Sequence, residues 1–124
     1  MKNYLPFYVI ILLLAGIFVL SYMEINAVEQ ELLEPAVRMQ DKISAGGQVD
    51  AEYQKLLEAF KKHEVKLNVF FNHTSGNDVM RCLLEIGNDI EYQNRDELEE
   101  DTNRLIFHLR DIIDNEKPKI NNIF

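Results

Sequence analysis

The sequence has no tryptophan, one cysteine (Cys82), three histidines and three prolines in 124 residues. A lone cysteine cannot close an internal bridge, which excludes a disulfide-stapled secreted miniprotein. Cations are in the minority: 13 Lys and Arg against 21 Asp and Glu leave a formal charge of −8. That balance repels phosphates and excludes nucleic acid or anionic lipid as the main partner. No Gly-rich phosphate loop, Gly-x-Ser-x-Gly or His-Glu-x-x-His is present, so neither a cofactor nor an enzymatic activity is expected. No stretch alternates apolar and polar residues as a half-buried strand does, which argues against a sheet. The length leaves room for one domain.

What the sequence does contain is unevenly distributed. Leu5 to Met23 reads LPFYVIILLLAGIFVLSYM, with sixteen apolar residues and no charge. Nineteen residues at about 1.5 Å each span roughly 28 Å, close to the ~30 Å hydrocarbon thickness of a bilayer. Pro6 suits the first turn of such a helix, where its missing N–H is no loss. Tyr4, Tyr8 and Tyr22 lie near the ends, where amphipathic rings favour the interface. A cleaved secretory signal is the competing reading. It is disfavoured by the length of the run and by the bulky Ile25 at the outer position of the best cleavage site, Ile25-Asn26-Ala27. Residues 5–23 are therefore expected to be an uncleaved anchor in a lipid bilayer. Lys2 and the amino group precede the run, and Glu24, Glu29, Glu31 and Glu34 follow it. The positive-inside rule then keeps residues 1–4 cytoplasmic and places the rest outside the cell membrane. The exported part holds twelve of the thirteen cations and all twenty-one acids, a charge of −9.

The remainder reads as helix. Ile25, Val28, Leu32 and Leu33 continue a helical stripe, so residues 24–43 are expected to form a stalk, with Pro35 as a kink or the first turn of a new helix. Residues 44–49, Ser-Ala-Gly-Gly-Gln-Val, form the clearest linker, since paired glycines break helices and confer freedom. Asp50 is the expected N-cap of a helix whose apolar positions are Tyr53, Leu56, Leu57, Phe60, Leu67, Phe70 and Phe71. In this pattern His63 and Glu64 stand where one turn is missing. His73 to Asp78 is a turn by composition. Val79, Met80, Leu83, Leu84, Gly87 and Ile90 mark a second helix. Asn94 or Asp96 caps a third, whose buried face runs from Leu98 to Ile113. Pro118 is expected to end any helix, leaving residues 115–124 as a tail. The expected fold class is all-α: a transmembrane helix continuing into a stalk, then a three-helix bundle over residues 50–114.

A three-helix unit of roughly 75 residues lies near the size at which one core gives only ~3–5 kcal/mol. Phe70, Phe71 and the apolar tail therefore need a partner surface: the stalk, a second copy, or another membrane protein. The layout resembles the small single-pass membrane proteins grouped as domain of unknown function 4363, found in clostridia and their relatives. The residues carrying the resemblance are the N-terminal anchor, Phe71-Asn72-His73-Thr74 at a helix end and Leu83-Leu84-Glu85 in the next helix. The final helix leading to Glu116-Lys117 and Asn122-Ile123-Phe124 completes it. The resemblance implies an anchor and a helical fold, and no assigned activity.

Among chemically capable residues, His73 reads first as a helix-end cap and second as a ligand, with Asn72 or Asp78 beside it. His63 and His108 are single residues on amphipathic helices and read as structural. Cys82 lies between inward-facing Val79 and Leu83 with no base in its pattern, and reads as inert. The run from Asp96 to Asp101 reads as a solvated face favoured by the helix dipole rather than as a calcium loop. No metal site is expected. The expected function is a membrane-anchored extracytoplasmic interaction module, accessory to another membrane protein or to a second copy. The alternative is a sensor or binding protein for a small ligand or metal. The candidate surface comprises Phe60, Phe70, Phe71, His73 and Phe124.

Overall fold

In the computed structural model the described residues are 4–70 and 73–123, with side chains described for 4–67 and 76–114. All regular structure among them is helical. Helix α1 (Leu5–Val28) passes through a π-helical turn (Glu29–Leu33) into α2 (Glu34–Ser44), making one continuous rod. Helices α3 (Asp50–Phe70), α4 (His73–Glu91) and α5 (Arg95–Ile123) follow. Pro6 sits in the first turn of α1, where no N–H is needed.

The π turn has a local cause. Pro35 has no N–H for the Glu31 carbonyl one turn back, and its ring would press on that carbonyl. Widening the preceding turn relieves the clash, and the Glu34 N–H accordingly bonds the Glu29 carbonyl. The rod therefore carries Pro35 in the first turn of α2 without breaking.

Above residue 23 the rod belongs to the bundle. Ile25, Val28, Leu32, Ala36, Met39 and Ile43 recur every three or four residues and are all buried. Neighbours in sequence are neighbours in space, and α5 closes the ring by packing on α1 and α2. This is an up-down-up-down four-helix arrangement, its core completed by Leu56, Phe60, Leu67, Leu83, Leu105 and Leu109. The stalk is thus the fourth wall of the three-helix unit expected from sequence. Five large apolar side chains at about 2 kcal/mol each give an upper estimate of about 10 kcal/mol from its burial. That exceeds what the other three helices could hold by themselves, so docking of the stalk decides whether the domain is stable.

The end of the bundle farthest from α1 is pinned. The Gly46 N–H bonds the Ile43 carbonyl and the Gly47 N–H bonds the Lys42 carbonyl, with Gly46 at φ 82°. This is a Schellman cap, which needs a left-handed residue at that position. The Arg95 guanidinium donates to the Ile43 and Gly47 carbonyls at 3.0 and 3.2 Å, and Lys42 pairs with Glu52 at 2.6 Å. Residues 45–49 are therefore a held turn, with Val49 buried, rather than a free hinge. The α4–α5 connection repeats the device: the Gln93 and Asn94 N–H groups bond the Ile90 and Asp89 carbonyls, with Gln93 at φ 55°. The Asn94 side chain then caps α5 by accepting from the Glu97 N–H at 3.4 Å.

Three local expectations change. Asp50 lies inside α3, whose first bond runs from the Tyr53 N–H to the Val49 carbonyl. His73 to Asp78 forms the beginning of α4 rather than a turn. Short polar residues favour turns and helix starts alike, because both leave N–H groups for them to satisfy, and packing of α4 decides between the two. Helix α5 continues through Pro118 to Ile123. Proline removes one bond near the end of a long helix whose preceding turns are already packed, so the helix survives it.

Candidate functional site

The first surface of interest is a bare apolar sleeve. From Leu5 to Met23 nearly every large side chain is half exposed or more, Phe7, Leu12, Leu13 and Leu20 among them. The rod holds a window of mean hydropathy 2.4, long and apolar enough to cross a membrane, none of it buried by the rest of the chain. An exposed apolar area of this extent marks a surface for lipid or for another protein. Phe18 and Ser21 are partly covered and carry the buried stripe of Ile25 and Val28 two turns down into the sleeve.

Immediately above the sleeve lies a cluster of ionisable groups. Glu24 and Glu31, two turns apart on the rod, face His63 on α3. His63 Nδ1 lies 3.0 Å from Glu24 Oε1, and Nε2 is within hydrogen-bond reach of Glu31 Oε2. His63 and Glu24 are each only 4% exposed, whereas the Glu31 side chain is partly open to solvent. Lys62 Nζ approaches Glu31 Oε1 at 3.6 Å. The hydrogen bond from His63, with the positive charges of His63 and Lys62, holds the Glu31 carboxyl below the usual carboxylate range. The two carboxylates address opposite nitrogens with the ring between them, so they share no point at which an ion could sit. Among the described residues no three His, Cys, Asp or Glu side chains converge as metal ligands.

A second cluster joins α4 to α5. Asp101, the last acid of the run expected to be solvated, instead turns inward and is 5% exposed. It accepts from Arg104 Nη1 at 2.9 Å, and the same nitrogen reaches Glu85 at 3.1 Å. Asp89 lies against it. Burial, then the hydrogen bond to Asp101 and the charges of Asp101, Glu97 and Glu85, push the Asp89 carboxyl up to about 7. The fold thus favours the protonated form of Asp89.

Cys82 is buried, and burial with the nearby Glu85 pushes its thiol up to about 11. A thiol held protonated is a poor nucleophile. Tyr53 is buried and donates from its hydroxyl to the Leu83 carbonyl at 2.9 Å, fixing α3 on α4. Cavities are shallow. One of about 150 Å³ lies at the far end between Val49, Asp89, Arg95 and Leu98. A groove of about 350 Å³ between α2 and α3 is lined by Pro35, Arg38, Lys42, Glu52 and Lys55.

The residues singled out from sequence fare differently. Phe60 is 1% exposed and belongs to the domain's own core, so its ring is not open to solvent. The side chains of Phe70, Phe71, His73 and Phe124 lie outside the described residues. His108 is partly exposed, its ring edge-on to Phe107 at 5.7 Å. The Glu24–His63–Glu31 cluster was not anticipated. Its signal was nevertheless in the pattern: a histidine at a core-facing position of α3, and two acids two turns apart beside the buried stripe of the rod.

Fold and surface together define a class: an all-α chain whose first helix is bare and apolar over one half and a structural wall of a four-helix domain over the other. The chain belongs to the family described as a domain of unknown function (DUF4363), whose model matches residues 19–123. No curated protein and no solved structure matches it.

Proposed function

We propose that the protein is a membrane-anchored helical interaction module, with residues 5–23 crossing the bilayer and the four-helix domain outside the cytoplasm. The observation that carries the reading is the abrupt change along one rod, bare and apolar up to Met23 and packed from Glu24 onward. Flanking charge supports the orientation, with Lys2 before the span and Glu24, Glu29 and Glu31 after it. Leu84 on α4 and Phe107 on α5 remain exposed and offer apolar contact points on the domain. The role is accessory rather than catalytic: the domain docks on another membrane protein or on a second copy. The shallow cavities lend the sensor reading less support.

Two measurements test this. The full chain should resist alkaline extraction from membranes, and external protease should cut the domain in intact cells. Extraction into the soluble fraction, or protection of the domain until lysis, would overturn the anchor or its orientation. Cross-linking in mild detergent should capture a stoichiometric membrane protein or a discrete oligomer, and a clean monomer throughout would sink the interaction role.

A further inference from the structure

We propose that Glu24, His63 and Glu31 form a proton-dependent latch that couples docking of the rod against α3 to the pH outside the bundle. The reasoning rests on hydrogen-bond stoichiometry. Each ring nitrogen of His63 faces a carboxylate oxygen, Nδ1 that of Glu24 and Nε2 that of Glu31. Ionised carboxylates only accept. A neutral imidazole has one N–H and one lone pair, so it serves one of them and turns a lone pair on the other. Only the imidazolium donates to both. With both carboxylates ionised, hydrogen bonds at both ring nitrogens need a ring that carries two protons.

The surroundings make that proton matter. Glu24 and His63 are almost wholly enclosed, so a mismatched pair there has no water to relieve it. Among the described residues the charged groups facing the ring are Glu24 and Glu31 from the rod, and Lys62 from α3 itself through its contact with Glu31. Helix α5 also packs on this part of the rod, and among the described residues no side chain of α4 or α5 pairs with the cluster. Lys62 offsets part of the Glu31 charge but cannot supply the missing N–H.

The direction follows from which state the fold favours. The folded arrangement binds a proton on His63 that an undocked rod does not need. Docking is therefore complete in mild acid and weakens as pH rises above the ordinary imidazole value of about 6.5. Glu24 is the first residue after the apolar span, so the latch closes the first turns of the domain beyond that span. It rests on the packing of the rod and not on which side of a membrane the domain lies, so the topology experiment and this one fail independently.

The test uses the full chain in detergent micelles. Nitrogen-15 spectra of the imidazole should show both ring nitrogens protonated in the folded protein at pH 6. Amide hydrogen exchange around His63 and Glu24, corrected for intrinsic rates, should lose protection by up to tenfold per pH unit above that. Glu31→Gln is the discriminating variant. Its amide N–H₂ can donate to the Nε2 lone pair, so a neutral ring is satisfied on both sides and the local pH dependence should vanish while the fold remains. His63→Gln should flatten the profile too if it folds. A singly protonated ring at pH 6, or a Glu31→Gln profile as steep as that of the unmodified chain, would overturn the proposal.

Discussion

Glycine 87 offers the sharpest check on how α3 and α4 are held. In an exposed helix, Gly→Ala is expected to stabilise by roughly 0.5–1 kcal/mol, because alanine loses less backbone freedom on folding. Here the added methyl would lie 2.6 Å from the Tyr53 hydroxyl oxygen and 3.1 Å from Cζ. Tyr53 cannot simply swing aside: its ring is buried and its hydroxyl is committed to the Leu83 carbonyl. Displacing it forfeits a hydrogen bond of about 1 kcal/mol and adds overpacking of about 1–3 kcal/mol. Set against the propensity gain, Gly87→Ala should destabilise the domain by about 1–3 kcal/mol, a fall in Tm of several degrees or more. Tyr53→Phe removes the offending oxygen and the bond together. In that background Gly87→Ala should be near neutral or mildly stabilising, leaving a coupling energy of about 1–3 kcal/mol between the two sites. Reversible urea unfolding of the four single and combined variants, followed by circular dichroism in micelles, measures this directly. If Gly87→Ala stabilises the unmodified chain, or costs the same with Phe at 53, then the close approach of α3 and α4 at this point is wrong.

Asp89 supplies a pH prediction of definite sign. Its carboxyl is pushed up to about 7 from an ordinary 3.8, so the fold holds its proton more tightly than the unfolded chain does. The associated stability is present in full below about pH 4, declines as pH rises toward 7 and is gone above it. Asp89→Asn keeps a donor toward Asp101 without the charge, and should remove that part of the slope and raise stability at pH 8. A loss of stability at pH 8 in a thermal-melt series would refute it. Gln93 occupies a left-handed position, φ 55°, that a glycine adopts freely. Gln93→Gly should therefore stabilise by about 0.5–1 kcal/mol in the same urea assay, and a decrease would show that the α4–α5 turn is not a strained Schellman cap.

Much of the architecture was legible because it follows from periodicity. The three- and four-residue spacing of Ile25, Val28 and Leu32, and of Leu105, Leu109 and Ile112, announces helices with one buried face wherever they pack. Gly46 and Asn94 mark ends through backbone and side-chain chemistry that needs no tertiary partner. The failures occurred where two local outcomes are nearly degenerate. Thr74, Ser75, Gly76 and Asn77 suit a turn and a helix start about equally, and Pro118 weakens a helix by an amount that preceding packing can absorb. Phe60 looked available for binding because an apolar position on an amphipathic helix does not reveal whether its own core already fills it. Asp101 was grouped with its exposed neighbours in an acidic run, since a linear pattern does not say which acid meets Arg104 and Asp89.

The sequence by itself determined that the chain is helical, that its first nineteen-residue apolar run has no charge to keep it in water, and that one domain follows. These are consequences of composition and spacing, which act over a few residues at a time. Only the tertiary structure decided that the stalk is a wall of the domain rather than a spacer beneath it. Only there do Glu24 and Glu31 reach the two ring nitrogens of one histidine more than thirty positions away in the chain. Burial of a charged group, and the partner that makes it tolerable, depend on which helices become neighbours, and no one helix carries that information.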